Sequence, residues 1–275
     1  MVASKNARAY LTVLLMDYSA IIGLPLELVV ADGGSEDGTP EFLAQTAQRL
    51  PLGSLQWLSR ADTCIAEAWN RGVSLARAPW VMFAGADDRL APSSEWEALL
   101  DWLPNCQPAA ALIGLSVQVI SRSGARLVRM PPDLGPRNSR IYSVNSLPHQ
   151  GLLHARWLFR ELGEFDTHFR VAADYEYTLR IITSGKEVAL PHGRLSPIRM
   201  TFGGISAHDP LGNVLEFRKA QVKHGIQRKR LGWWAAWARA RMRSLALPLL
   251  GPKLCGGIAD LLRRLRGLPA VWRAR

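Results

Sequence analysis

Two acidic turns carry residue types with chemical potential. Asp32-Gly33-Gly34-Ser35 follows the apolar run Leu28-Val29-Val30-Ala31, and Gly85-Ala86-Asp87-Asp88 follows a second apolar run at 80–84. Carboxylates are hard oxygen ligands, so an adjacent Asp pair suits a divalent cation. Asp is equally favoured in turns and at helix N-caps, where it binds backbone N–H groups instead. A third acidic segment, Ala173-Asp174-Tyr175-Glu176, opens a helical pattern, where the helix N-terminus stabilises an ionised carboxylate and burial opposes it. Asp62 and Glu67 lie between these segments, and Pro148-His149-Gln150-Gly151 adds an imidazole, which can act as a ligand or a proton carrier.

The elements that must position these groups follow from periodicity. Ala7, Tyr10, Leu11, Leu14, Leu15 and Tyr18 recur at helical spacing, and 26–31 reads as a short buried strand. A helix is expected from Thr39, a strand at 55–58, a helix at 65–76, a strand at 80–84, and helices near 94–100 and 175–183. This alternation predicts an α/β architecture with a largely parallel sheet. Ligands in such sheets bind beyond the carboxyl ends of the strands, and both acidic turns fall at such ends. Gly33, Gly34 and Gly38 permit a tight turn and close approach of a ligand.

The chain of 275 residues is 48% hydrophobic and 21% charged, which excludes disorder as its main state. Its formal charge of +11 is unevenly placed: residues 1–217 hold 19 Lys and Arg against 22 Asp and Glu, whereas 218–275 hold 15 against Asp260 alone. A slightly acidic body therefore carries a basic tail, which argues against a uniformly basic nucleic-acid-binding domain. Cys64, Cys106 and Cys255 show no paired spacing, so a disulfide framework is not expected and a reducing, cytoplasmic setting follows. The uncharged stretch 102–121 contains Pro104, Asn105, Gln107 and Pro108 and reads as a core segment rather than a span. Asp17 interrupts the apolar run after Lys5 and Arg8, unlike a signal peptide.

In the tail, Trp234, Ala235, Ala238, Met242, Leu245 and Leu249 recur at helical spacing, and Ile258, Leu261, Leu262, Leu265 and Leu268 form a second set opposite Arg263, Arg264 and Arg266. With Trp233, Trp234 and Trp237 as interfacial anchors, these are expected to be amphipathic helices on an anionic membrane surface. The alternative is that they pack on the body or in a dimer.

Taken together, Asp32 to Thr39, then Asn70-Arg71-Gly72, Ala86-Asp87-Asp88 and Ala173-Asp174-Tyr175-Glu176, in this order, resemble glycosyltransferase family 2, the inverting enzymes of GT-A fold. The resemblance covers about residues 5–210. It implies a Rossmann-like, mostly parallel GT-A domain at 1–215 with a basic helical tail at 216–275. It also implies transfer of a sugar from a nucleotide-sugar, a UDP-sugar first among the candidates, to a hydroxyl of a lipid-linked glycan or polysaccharide precursor. Mg²⁺ or Mn²⁺ would offset the charge that grows on the diphosphate leaving group.

The resemblance places Asp88 on the metal, Asp87 near the ribose, and Asp32 with Gly33 and Gly34 at the nucleotide base. Asp62 and Glu67 would face the nucleotide, although Cys64 and Glu67 stand where the family has glycine and aspartate. Asp174 would be the base that takes the acceptor proton, with Glu176 able to act in its place. His149 and Gln150 fall in the acceptor or donor-phosphate region. Gly163-Glu164-Phe165-Asp166 matches a structural turn, and Thr201 to Ser206 a glycine-bearing loop able to close over the donor.

The family's first apolar strand is the expected omission, because Lys5 to Leu11 matches the segment that comes directly after that strand in the family. A start assigned downstream or a true truncation would explain this, and the latter leaves open an inactive scaffold that keeps the fold. The expected setting is cytoplasmic, peripheral at the inner face of the cell membrane, without nucleic acid as a partner.

Overall fold

The computed structural model describes residues 1–105, 110–134, 140–190, 195–203, 209–265, 267 and 270. Strands β1 (Val2–Ser4), β2 (Leu28–Asp32) and β3 (Leu55–Ser59) lie parallel, with β1 between β2 and the parallel β5 (Ala84–Gly85). Only Phe83 separates β4 (Trp80–Met82) from β5. β4 pairs with the antiparallel β10 (Leu152–Ala155), then come β7 (Ala110–Gly114) and β11 (Glu187–Ala189). One run of chain thus joins two ladders into the order β3-β2-β1-β5/β4-β10-β7-β11. The segment read from sequence as core supplies β7 and β8 (Val117–Ile120).

Both faces of the sheet are covered, so the strand sequences show apolar runs rather than alternation. In β2, Val29 and Ala31 pack on the side of α3 (Ile65–Leu75) and α6 (Ala173–Thr183), while Leu28 and Val30 pack with α1 (Arg8–Ser19) and α2 (Thr39–Arg49). A smaller sheet of β6 (Arg89–Leu90), β12 (Ile198–Thr201), β8 and β9 (Arg126–Met130) stands over the second acidic turn.

The expected omission of the first strand is corrected here. Val2-Ala3-Ser4 fill the central position, registered with Val30, Ala31 and Asp32 on one side and with Ala84 and Gly85 on the other. Three residues are too few to show a period. What makes them a strand is the unpaired backbone that β2 and β5 would otherwise bury. Gly72 makes room for this arrangement, because a Cβ there would collide with the Met1 side chain.

Helix α7 (Pro210–Lys223) runs through residue 215, where the sequence suggested a boundary, and belongs to the body. Its Gln221 Nε2 donates to the Tyr175 hydroxyl at 3.0 Å and to the Ser143 carbonyl at 3.3 Å. The tail proper is α8 (Leu231–Leu265), interrupted at Gly251, whose φ is 72°. Trp233 is 3% exposed and docks α8 on α7 with Val214 and Ala240. The three indoles are therefore not equivalent: Trp233 packs inward, whereas Trp234 is exposed along with Met242, Leu245, Leu249, Leu261 and Leu265. Among the described residues no helix is long and apolar enough to cross a membrane. Arg266 and Leu268 of the predicted second stripe lie outside the described residues.

Because this docking cluster is small and separate from the main core, Trp233→Ala is expected to release α8 at a local cost of about 3 kcal/mol. Limited proteolysis between α7 and α8 should accelerate while the main melting transition moves little. Unchanged protease sensitivity would show that other contacts hold the helix.

Candidate functional site

The strand ends meet at a buried carboxylate. Ser4, Asp32 and Ser59 are register neighbours on β1, β2 and β3. Asp32 Oδ1 accepts from the Ser4 and Ser35 hydroxyls, and Oδ2 from the Ser59 hydroxyl and the Gly34 and Ser35 amides. Burial pushes its pKa up, and the bonds from Ser35, Ser59 and Ser4 outweigh burial and hold it below the ordinary value. A carboxylate has about four acceptor sites, and here the protein itself fills them. Asp32 thus builds the turn at the place where the resemblance sets the nucleotide base.

The turn that Asp32 holds shapes what lies above it. Gly34 has φ 76°, and at Gly33 a Cβ would come within 2.7 Å of both Asp62 carboxylate oxygens. The absence of a side chain at Gly33 thus seats Asp62 at the strand ends, where Arg71 pairs with it at 3.0 Å and Lys5 at 3.8 Å. Burial raises the Asp62 pKa in spite of Arg71 and Lys5. Glu67 reaches back to Thr63, accepting from its amide and hydroxyl, and closes the start of α3. Asn70 clamps the turn after Gly163, with its Nδ2 donating to the Phe165 carbonyl and its Oδ1 accepting from the Phe165 amide, both at 2.9 Å.

At the second turn Asp88 Oδ2 accepts from the Gly85 amide at 2.8 Å and Oδ1 from the Thr201 amide at 2.9 Å, while the Thr201 hydroxyl donates to the Asp87 carbonyl. Arg89, next in sequence, is anchored by two bonds to Asp17 of α1. Burial and the neighbouring Asp87 push the Asp88 pKa to about 7 against the Gly85, Thr201 and Gln150 hydrogen bonds. Burial also raises that of Asp87. Gln150 is therefore brought to the acidic pair. The pair fits a divalent cation, since two crowded, underneutralised carboxylates are hard donors that a cation would stabilise. Asp87, with fewer internal donors, is the freer ligand. Among the described residues no third His, Cys, Asp or Glu joins them.

Asp174 lies in the first turn of α6, with Oδ2 accepting from Asn145 Nδ2 at 3.2 Å. Burial raises its pKa to about 6, a value suited to a base near neutrality. The turn that delivers it is held by Glu216 of α7, which accepts from the amides of Arg170, Val171 and Ala172 at 3.1, 2.9 and 2.9 Å. Sequence reasoning missed Asn145 and Glu216, which carry no local signal.

Two sequence candidates are placed elsewhere. Glu176 is fully buried among Arg180, Lys223 and His224 at 2.6, 2.7 and 2.8 Å. Burial would raise its pKa, but His224, Arg180 and Lys223 hold it at about 2; it ties α6 to α7 and is spent as an alternative base. The His149 ring stacks on Phe83 at 4.9 Å and tilts against Trp69 at 4.6 Å. Burial, with His154 nearby, lowers its pKa well below the usual value. Neither ring nitrogen has a hydrogen-bond partner among the described residues, and the ring packs within the aromatic cluster of Trp69, Phe83 and Phe165. Of the expected glycine loop, 204–206 lie outside the described residues.

The sheet order and the strand-end acids define a GT-A fold. Solved structures share it: Staphylococcus aureus TarS 1–349 in complex with UDP-GlcNAc superposes with a TM-score of 0.64 at 14% identity, covering 90% of this chain and 74% of that one. The mannosyltransferase PcManGT of Pyrobaculum calidifontis, in complex with GDP-Man and Mn²⁺, gives 0.62 at 18% identity over 99% and 76%. The sequence profile of glycosyl transferase family 2 matches residues 1–151, and the chain belongs to that family. It is 29% identical over 181 residues to the PGL/p-HBAD biosynthesis glycosyltransferase of Mycobacterium tuberculosis, covering 66% of this chain and 67% of the relative.

Burial of Asp174 also bears on stability. Its folded pKa of about 6 exceeds the ordinary 3.8, so the carboxylate weighs against folding increasingly as pH rises between those values and by a constant amount above them. Asp174→Asn should therefore melt higher than the parent protein at about pH 7–8, with the advantage vanishing toward about pH 4. A melting advantage independent of pH would place the carboxylate in solvent.

Proposed function

We propose that the protein transfers a sugar, with inversion, from a nucleotide-sugar, a UDP-sugar first among the candidates, to a hydroxyl of a lipid-linked glycan or polysaccharide precursor. The observation that carries the reading is Asp174: a carboxylate of raised pKa, positioned by Asn145 and by the Glu216-held turn. It takes the proton of the attacking hydroxyl as that oxygen bonds to the anomeric carbon and the bond to the diphosphate breaks. Asp62, over Gly33 and Gly34, is the carboxylate best placed to meet the nucleotide. Asp87 and Asp88 would hold Mg²⁺ or Mn²⁺, with Gln150 beside them; such a cation neutralises charge on the leaving diphosphate.

The complexes of TarS with UDP-GlcNAc and of PcManGT with GDP-Man and Mn²⁺ support a nucleotide-sugar donor and a divalent cation. The mycobacterial relative, a PGL/p-HBAD biosynthesis glycosyltransferase, supports glycosyl transfer as the reaction. The reading as an inactive scaffold drew on a missing strand, and β1 supplies that strand. The exposed apolar residues of α8, flanked by Arg241, Arg243, Arg263 and Arg264, fit a peripheral address on an anionic membrane surface at its cytoplasmic, inner face. Nucleic acid is not among the partners proposed.

Asp174→Asn should lower transfer about 10²- to 10⁴-fold while nucleotide-sugar binding, measured by calorimetry, persists. An unchanged transfer rate removes Asp174 as the base. For the tail, sedimentation with vesicles should be stronger for phosphatidylglycerol than for phosphatidylcholine and weaken as salt rises past about 0.15 M. Equal binding to both lipids would defeat the electrostatic part of the membrane reading.

A further inference from the structure

A second cluster of charge, opposite in sign to the acidic site, stands where α8 begins. There the exposed side chains of Arg140, Arg228, Lys229, Arg230 and Arg239 line an open cleft of about 960 Å³, with Asp133 as the one acidic group among the described lining residues. Asp133 is itself occupied by Arg140 at 3.1 Å. Arg228 and Arg239 have no ion-pair partner among the described residues. Lys229 lies over the rings of Trp233 and Trp234 at 4.7 and 4.8 Å, and Arg230 over Tyr142 at 5.4 Å. Aromatic faces hold these cations in place without cancelling their charge. The start of α8 is pressed on the facing turn, since a Cβ at Gly232 would come 3.0 Å from the Ser143 Cβ.

One isolated exposed cation binds a phosphate weakly in water, but several converging on one cleft form a site, with arginine able to bind phosphate through two parallel bonds. The location narrows the ligand. Ser143 and Val144 line the cleft, and the next residue, Asn145, donates to Asp174. In the glycosyltransfer reading the acidic pair would take the donor diphosphate through a cation, so the basic cleft calls for a second anion, on the molecule whose hydroxyl meets Asp174.

We propose that this cleft is an acceptor subsite that takes a phosphate or diphosphate group carried by the acceptor. The proposal rests on the glycosyltransfer reading above and makes that acceptor an anionic, phosphate-bearing molecule rather than a neutral glycoside.

The test uses the full chain, a water-soluble short-chain alkyl diphosphate and the alkanol of the same length, titrated by calorimetry in EDTA at about 0.15 M salt, where long-range attraction is screened. The diphosphate should bind at least tenfold more tightly than the alkanol. The double variant Arg228→Glu/Arg239→Glu should lose at least tenfold of that affinity, and Arg264→Glu, outside the residues that line the cleft, should lose less than twofold. Equal binding of diphosphate and alkanol, or equal losses in the two variants, overturns the proposal. If phosphatidylglycerol vesicles but not the soluble diphosphate depend on Arg228 and Arg239, the cleft serves the bilayer and the acceptor assignment falls. Nucleotide-sugar binding is measured separately on the parent protein: its absence defeats the glycosyltransfer reading, whereas donor binding without diphosphate binding defeats the cleft alone.

Discussion

The carboxylate of Asp32 ties the strand ends together, and the site is built on that tie. A buried charge is costly unless it is fully hydrogen-bonded, and Asp32 collects the hydroxyls of Ser4, Ser35 and Ser59 and two backbone amides. Hydrogen bonds to a charged group contribute about 1.5–3 kcal/mol each, so the row across β1, β2 and β3 holds three strands and the adjoining turn in one geometry. That turn leaves the space over Gly33 into which Asp62 settles. A three-residue strand at the centre of a sheet depends on such ties, because its own ladder is short.

Environment sorts the acids of this chain into two groups. Asp32, Glu67 and Glu176 are matched by donors within the protein, and their pKa values are lowered. Asp88 is buried and Asp62, Asp87 and Asp174 are half-buried, all without enough compensation, and their pKa values are raised. Groups held in this second condition are costly to the fold and are available to a cation, a substrate or a proton. The contrast between Asp174 and Glu176, two residues apart on one helix, shows how completely the surroundings decide: one meets Asn145, the other is enclosed by three basic side chains.

The charge asymmetry also changes meaning once folded. Helix α7 contributes Glu216 to the turn before Asp174, and Lys223 and the adjacent His224 to the Glu176 cluster, so part of the basic C-terminal region belongs to the catalytic body. The remainder divides again at Trp233, which docks, and Trp234, which does not. Basic charge near the start of α8 lines an open cleft, while farther along it borders an exposed apolar face.

Much of this could be read in the residues themselves. The apolar runs, the helical periods and the order of the acidic turns determine the α/β class, the family and which carboxylates are candidates, because these depend on patterns within one segment. Three things were settled only by packing. β1 is a strand because its neighbours need partners on both sides; the fold also brings Ser4 and Ser59 to Asp32, Lys223 and His224 to Glu176, and Trp69 and Phe83 to the His149 ring. Asn145 and Glu216 matter because tertiary contacts set them at Asp174 and its turn. Residue type declares what a side chain can do; which partners reach it first is a property of the folded chain.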